Sequence, residues 1–232
     1  MAAGPAITDP GFLRSYGRRR GKKLRPGRER LMAELLPTIA VEPGKAPADQ
    51  FARRYAAYWL EIGFGGGEHL AAQAKAHPDV GMVGCEPFLD GVAKLVTAVD
   101  EAGLDNVRIH ADDARQIFSD IPDGALERVF ILFPDPWPKT RHHKRRLIQA
   151  PLLDACARML ADGGELRVAS DHMDYVRWTL EHVIPHPDFE WLADRPTDWR
   201  TPPADWIPTR YEQKKLAGDK IAYLCFRRRT RR

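Results

Sequence analysis

The chain has 232 residues, is 44% hydrophobic and 29% charged, and carries a formal net charge of +4 at pH 7. These values are typical of a soluble globular protein with one sizeable core, and no apolar run approaches the roughly 18 residues of a membrane span. Residues 1–20 lack the apolar stretch of a secretory signal, and the three cysteines are far apart, so we expect a cytoplasmic protein without a disulfide framework.

The N-terminal segment, residues 1–30, is predicted to be a flexible basic arm ahead of a single domain over residues 31–232. Residues 1–11 show no hydrophobic periodicity, and residues 14–30 hold nine Lys and Arg against one Glu. Residues 14–30 hold no run of apolar residues that could anchor them, and we hypothesise that they become ordered on a polyanionic partner. Residues 31–36 predict a short helix that stops before Pro37.

From residue 58 the sequence alternates between short apolar runs and amphipathic segments. Strands are predicted at 58–62, 80–85, 107–109, 126–132, 165–169, 189–192 and 221–226. Helices are predicted at 68–76, 88–102, 151–160 and from about 171. Gly163 and Gly164 are expected to turn the chain into the fifth strand. This alternation predicts a doubly wound α/β fold with a mostly parallel sheet and an antiparallel strand near the C-terminus.

The turn after the first strand is rich in glycine and follows an acidic residue. Its spacing is Gly63-x-Gly65-x-Gly67 behind Glu61, whereas the dinucleotide motif G-x-G-x-x-G would place glycine at position 68. A carboxylate at Glu61 would repel a pyrophosphate but would suit a cationic ligand or an amino group. The spacing resembles the first motif of class I S-adenosylmethionine methyltransferases.

Acidic residues also follow the second and third predicted strands. Glu86 ends the second strand, where a carboxylate can accept both ribose hydroxyls of a nucleoside. Asp112, Asp113 and Ala114 follow the third strand, and one of the two aspartates can accept a hydrogen bond from an adenine amino group. The spacing does not decide between these two neighbours.

The fourth predicted strand leads into a rigid segment with three prolines, Pro134, Pro136 and Pro138, around Asp135 and Trp137. A carboxylate beside a stacking aromatic ring suits a flipped purine. The next residues are strongly basic and are candidates for phosphate contacts. These basic candidates are Lys139, Arg141, Lys144, Arg145 and Arg146. Two histidines in the same run, at 142 and 143, have no second ligand cluster, and we expect no metal site.

Several of these motifs together resemble the signature of the bacterial tRNA (guanine-N7)-methyltransferase family over about residues 14–226. Pro138 stands where some members carry another residue, and we expect no effect on the chemistry. The resemblance is carried by Arg14-Ser15-Tyr16, Glu61-Ile62-Gly63-Phe64-Gly65, Pro134-Asp135-Pro136-Trp137-Pro138-Lys139, Arg141-His142, Lys144-Arg145-Arg146, Ser170-Asp171 and Thr209-Arg210-Tyr211-Glu212-Gln213-Lys214.

The resemblance implies a seven-stranded Rossmann-like fold and methyl transfer from S-adenosylmethionine to a guanine in the variable loop of tRNA. It implies Asp135 as the catalytic residue. The cofactor residues that it implies are Glu61, Glu86, Asp113 and Asp135. The glycine turn and the end of the third strand add Gly63, Gly65, Gly67 and Ala114 as candidates. The substrate residues that it implies are Lys139, Asp171, Thr209, Arg210, Tyr211 and Glu212. The basic run adds the candidate phosphate contacts Arg141, Lys144, Arg145 and Arg146.

The chemistry of guanine N7 fits these residues independently. N7 has a free lone pair, so no strong base is needed and the enzyme can work mainly by positioning. Positive charge passes to the purine during transfer, and carboxylates facing the ring would stabilise it. We hypothesise that Glu212 or Asp171 accepts from the guanine N1–H and amino group, although Asp171 could equally cap a helix.

Three basic segments, at 14–30, 139–146 and 227–232, lie on an otherwise acidic chain. Together they indicate a polyanion partner, and no membrane or obligatory protein partner is expected. Three alternatives differ in class: a methyltransferase for a small molecule or protein, a nicotinamide-dependent oxidoreductase, and a non-catalytic RNA-binding protein. The first leaves the basic segments unused, the glycine spacing disfavours the second, and the third would show no methyl transfer.

Overall fold

A computed structural model describes residues 16, 19–21, 23–213 and 220–231 of the chain. Among these residues, seven strands form a single sheet. The strands are β1 Ala57–Ile62, β2 Val80–Cys85, β3 Val107–His110, β4 Leu126–Leu132, β5 Leu160–Ser170, β6 Phe189–Trp191 and β7 Ala222–Arg228. Their bounds agree closely with the predicted strands, except at β5.

The order of the strands across the sheet is β3-β2-β1-β4-β5-β7-β6. Strands β1 to β5 pair in parallel, whereas β7 pairs antiparallel with both β5 and β6. The chain runs outward from β1 to β3 and then returns to β4 beside β1. This reversal opens a crevice at the carboxyl ends of β1 and β4, which is where ligands bind in open parallel sheets. The predicted doubly wound fold is confirmed.

Helices cover both faces of the sheet. The helices are α1 Pro26–Glu34, α2 Leu36–Ile39, α3 Glu68–Ala76, α4 Leu89–Ala102, α5 Ala150–Met159, α6 Met173–Val183, α7 Thr197–Arg200 and α8 Arg210–Gln213. Apolar side chains of α3 and α4 form one core layer with residues such as Trp59 and Phe130, and those of α5 and α6 form the other with residues such as Leu60 and Ile131. Since both faces are covered, every residue of β2 is buried, as expected for an interior parallel strand.

The prediction of a turn at Gly163 and Gly164 is wrong. Both glycines lie inside β5, which begins at Leu160. The pairing with β4 shifts between Leu126↔Leu160 and Arg128↔Glu165, so β5 holds extra residues at this point. Gly163 has φ +81°, the left-handed conformation that a β-bulge can require.

The first described helices also differ from the prediction. Helix α1 begins at Pro26, inside the expected arm, and α2 contains Pro37 in its first turn. Proline is tolerated there because the first turn has no intrahelical acceptor for its N–H. Residues 1–11, predicted to be disordered, lie outside the described residues. None of the described helices combines the length and apolar character needed to cross a membrane.

Candidate active site

The glycine turn after β1 opens towards the crevice. Gly63, Gly65 and Gly67 have φ values of +75°, +57° and +77°, which explains why the spacing requires glycine at these three positions. A Cβ built on Gly63 or Gly65 would meet no atom within 4 Å, whereas one on Gly67 would overlap Leu95. The first two glycines therefore leave open space above the backbone, and the third allows α3 to pack closely on α4.

Glu86 connects this turn to the next strand end. The residue is 8% exposed, and its carboxylate accepts hydrogen bonds from the N–H groups of Gly65 and Phe88, both at 2.8 Å. Burial raises the pKa of Glu86, the two N–H groups oppose that rise, and the charges of Asp135 and Glu61 add to it. These interactions show that three of the predicted acidic residues lie close enough to influence one another.

Glu61 is held from the side of α3. Its Oε2 atom lies 2.8 Å from Nδ1 of His69, and both side chains are almost fully buried. His69 is in the first turn of α3, immediately after the glycine turn. This histidine was not among the residues predicted from the sequence, because a histidine in an amphipathic helix has no distinguishing pattern.

The two aspartates after β3 have different partners. Asp112 pairs with Arg19 of the N-terminal arm at 2.6 Å. Asp113 caps the short 3-10 helix Ala114–Gln116 and accepts two bonds from the Arg115 guanidinium, at 2.8 and 2.5 Å. Ala114 is buried. A basic residue of the arm therefore lies at this edge of the crevice.

The segment after β4 forms a rigid ledge at the other side of the crevice. Phe133 and Trp137 bracket Asp135 and have φ values of +50° and +42°, a conformation that costs energy for residues other than glycine. Asp135 itself is exposed. We refer to residues 133–137 as the ledge, and its strained ends are consistent with a functional constraint.

The basic run beyond the ledge has an exposed part and a buried part. Lys139, Arg141 and Lys144 are exposed. The Arg145 guanidinium lies 4.9 Å from the ring centre of Trp137 and 4.8 Å from that of Tyr16 in the arm. Four of the five basic side chains are therefore at least partly accessible to solvent.

Arg146 differs from its neighbours. It is 1% exposed, donates to the carbonyl oxygen of Pro136 at 2.9 Å, pairs with Asp174 and lies over the ring of Trp178 at 5.0 Å. These contacts hold the ledge against α6. They favour a structural role for Arg146 over the phosphate contact that the sequence predicted.

The remaining predicted substrate residues lie after the end of β5 and around the start of α8. The hydroxyl of Tyr211 donates to Asp171 at 3.3 Å, and its ring lies 5.1 Å from that of Phe133 on the ledge. Arg210 begins α8, but its side chain lies outside the described part of the chain, as do Arg14, Ser15 and Lys214.

Glu212 is surrounded by hydrogen-bond donors. Its Oε2 accepts from the N–H and hydroxyl of Thr209, at 2.7 and 2.9 Å. Its Oε1 accepts from the Tyr223 hydroxyl at 2.9 Å and from the Trp206 indole N–H at 3.2 Å. Four donors fill the usual capacity of a carboxylate. Trp206 was not predicted, because the loop around it carries no pattern.

Arg228 and Arg231 of the C-terminal basic segment lie away from this site. Arg228 and Arg231 donate to Ala157 at the end of α5 and pair with Asp162. The end of α5 lies at the edge of the sheet opposite the crevice, because α5 leads into the start of β5. These contacts favour a structural role for Arg228 and Arg231 over a contact with a polyanion.

Comparisons with known proteins agree with this geometry. Residues 56–225 match a family model described as a putative methyltransferase. The tRNA (guanine-N(7)-)-methyltransferase of Rhodospirillum rubrum is 57% identical over 94% of this chain and 89% of that protein. The protein of the same name from Hyphomonas neptunium is 48% identical over 93% of this chain and 99% of that protein.

Solved structures share the fold at much lower identity. A precorrin-6y C5,15-methyltransferase from Geobacter metallireducens has a TM-score of 0.52 and 14% identity over 90% of this chain and 94% of that one. An rRNA methylase from Streptococcus thermophilus has a TM-score of 0.51 and 13% identity over 90% of this chain and all of that one. At such identities the likeness supports the fold alone.

Proposed function

The chain belongs to the bacterial tRNA (guanine-N(7)-)-methyltransferase family, and from this membership we propose that its crevice transfers a methyl group from S-adenosylmethionine to N7 of a variable-loop guanine in tRNA. The observation that carries the proposal is the convergence of buried Glu61 and Glu86 with exposed Asp135 around the open glycine turn. A tRNA substrate also supports the expectation of a cytoplasmic protein.

The residues at the strand ends fit S-adenosylmethionine. The cofactor supplies a methyl group on a positively charged sulfonium. The space above Gly63 and Gly65 allows a ligand to approach the backbone closely. Glu86, fixed by two N–H groups, is oriented to accept ribose hydroxyls. We propose that Glu61 offers a carboxylate to the amino group of the cofactor and that Asp113 and Ala114 contact the adenine.

The contacts of Glu212 distinguish the two candidates for reading the guanine edge. The Glu212 carboxylate already accepts four hydrogen bonds from the protein, so a guanine N–H would have to displace one of them. Glu212 instead fixes the turn that carries Tyr211, and Tyr211 donates to Asp171. We propose that Asp171 accepts from the guanine edge and that Glu212 keeps the turn in place.

Asp135 is proposed as the catalytic residue. Positive charge develops on the purine as N7 takes up the methyl group, and a carboxylate beside the ring stabilises it. The strained ends of the ledge hold Asp135 at the crevice, and Trp137 is proposed to stack on the base. No proton has to leave N7, so the residue acts by its charge and position.

The exposed basic residues beside the ledge are proposed to contact the tRNA backbone. Lys139, Arg141 and Lys144 are available to phosphates, and Arg145 connects this surface to Tyr16. We propose that residues 1–30 act as a basic arm on the domain formed by residues 31–232. The contacts of Arg19 and Tyr16 on opposite sides of the crevice support that arrangement.

Labelled methyl transfer to total tRNA, followed by cleavage at 7-methylguanosine, tests the proposal. We expect a single labelled variable-loop guanine.

Asp135→Asn should lower kcat by about 100-fold, as expected for the loss of a preorganised charge, and should leave the fold intact by circular dichroism. Asp100→Asn, at an exposed position near the end of α4, is the matched control and should retain activity. Transfer to no RNA, or full activity of Asp135→Asn, would contradict the respective assignment.

A further inference from the structure

His69 lies between the cofactor side and the guanine side of the site. Its Nδ1 atom contacts Glu61 at 2.8 Å, and its Nε2 atom lies 3.2 Å from the amide nitrogen of Gln73. The amide nitrogen can only donate, so Nε2 accepts and Nδ1 carries the hydrogen directed at Glu61. The histidine thereby orients the carboxylate that is proposed to face the cofactor.

The other contact of His69 is with the loop that precedes α8. Its ring centre lies 5.6 Å from that of Trp206, with the two planes inclined by 39°. Phe130 supports the same imidazole from the sheet, at 5.1 Å. The Trp206 indole therefore packs between two rings, that of His69 and that of Tyr223, whose centre lies 4.9 Å from that of Trp206.

Trp206 in turn reaches the guanine side. Its indole N–H donates to Glu212, and Glu212 fixes Thr209 and the first turn of α8. Tyr211 on that turn donates to Asp171. A continuous path of contacts thus runs from Glu61 through His69, Trp206 and Glu212 to Tyr211 and Asp171.

We propose that His69 is a positioning residue for both substrates, with one function for each part of its side chain. Its N–H orients Glu61 for the cofactor, and its ring seats Trp206 and so the turn that holds Asp171 for the guanine. This inference rests on the proposed function of the crevice. It assigns the two effects to different atoms, so they can be separated by substitution.

The loop has an independent anchor that keeps such variants folded. Asp205, next to Trp206, pairs with Arg128 at 2.7 Å and with Arg167 at 2.8 Å. Both arginines lie on the sheet, in β4 and β5. Removing the His69 ring therefore removes one of the contacts that position the indole, without releasing the loop.

Two substitutions of His69 test the separation in the full-length protein. His69→Asn keeps a donor near the position of Nδ1 and removes the ring. His69→Phe keeps a ring and removes the donor. The dissociation constants of S-adenosylhomocysteine, by calorimetry, and of tRNA, by fluorescence anisotropy, are the readouts, together with the melting temperature.

We expect each variant to weaken the binding of one ligand by close to tenfold, which corresponds to about 1.4 kcal/mol, and the affected ligand should differ between the two variants. His69→Phe should weaken S-adenosylhomocysteine binding and leave tRNA binding nearly unchanged, whereas His69→Asn should do the reverse. Trp206→Phe should resemble His69→Asn and should add little to it in the double variant, because both act on the same turn.

His186 provides the matched control. It also pairs with a carboxylate, Asp154 at 3.2 Å, and packs on a phenylalanine, Phe189 at 5.2 Å, but it follows α6 at the edge opposite the crevice. His186→Asn and His186→Phe should leave both dissociation constants unchanged. If the wild-type protein methylates tRNA while both His69 variants lose both affinities in parallel, or lose neither, the positioning role is wrong and the proposed function stands. If the wild-type protein methylates no RNA, both are wrong.

Discussion

Two basic segments of similar composition have opposite environments in this protein. Residues 139–146 lie beside the ledge, with Lys139, Arg141 and Lys144 exposed. Residues 227–231 lie at the other edge of the sheet, where Arg228 is 5% exposed and its Nε donates to the carbonyl oxygen of Ala157. The first segment presents its charge to solvent, whereas the second neutralises much of it within the fold.

The difference arises from the acidic residues and carbonyl groups around each segment. Arg228 pairs with Asp162 and Asp188, and Arg231 adds bonds to Asp162 and to the last carbonyls of α5. Positive charge at the C-terminal end of a helix is favourable because the helix dipole is negative there. The same residue type thus serves as a helix cap at one edge and as a candidate RNA contact at the other. A cluster of arginines becomes evidence for a polyanion only when the groups that surround it are known.

The largest expected effect separates the two segments by RNA binding. Replacing Lys139, Arg141 and Lys144 together with alanine should weaken tRNA binding by about 100-fold. The slope of the logarithm of the binding constant against the logarithm of the salt concentration should become shallower by roughly two to three, because each lost phosphate contact lowers this slope by about 0.7–0.9. Fluorescence anisotropy at several salt concentrations measures both quantities.

The matched control removes the same charge from the other segment. Replacing Arg227, Arg229 and Arg231 with alanine should leave the salt dependence of tRNA binding unchanged. Equal losses in the two triple variants would show that both edges contact RNA and would end the distinction between them.

The next effect concerns the buried arginine that each segment contains. Arg146→Ala and Arg228→Ala should each lower the free energy of unfolding by about 2–3 kcal/mol, since each removes a buried guanidinium with charged and carbonyl partners. Urea denaturation measures the loss. Only Arg146→Ala should also lower methyl transfer, because Arg146 holds Pro136 of the ledge. Loss of methyl transfer in Arg228→Ala under conditions in which this variant is fully folded would contradict the distinction between the two arginines.

The smallest expected effect is a dependence of stability on acidic pH at the C-terminal edge. The N–H of Arg231 lowers the pKa of Asp162; partial desolvation opposes this, and the guanidinium of Arg231 and the charge of Arg228 reinforce it. A carboxyl group with a lowered pKa stabilises the fold above its unfolded pKa, and this contribution is lost as pH falls through the folded value. Urea denaturation across the acidic range should therefore show a shallower loss for Asp162→Asn than for the wild-type protein. An identical pH dependence in the two proteins would mean that the interaction of Asp162 with Arg231 contributes nothing to the free energy of unfolding.

The alternation of apolar and amphipathic segments predicted β1 to β4 and helices α3 to α5 with errors of one or two residues. These elements are predictable because their hydrophobic periodicity is local and their ends carry glycine or proline. The start of β5 was not predictable, because a glycine pair in a bulge and a glycine pair in a turn look alike until the partner strand is known. The acidic strand ends were predictable for a related reason, since parallel strands end at one edge of the sheet.

The amino-acid sequence by itself determined the doubly wound fold, the acidic and glycine residues at the strand ends, and the family through the order of its motifs. Only the tertiary structure decided which partners His69, Trp206, Arg146 and Arg228 meet. Each of them contacts a residue far along the chain, as between Arg228 and Asp162 or His69 and Trp206. The chemistry of a side chain determines what a residue can bind, but the packing of distant segments determines which partner it contacts.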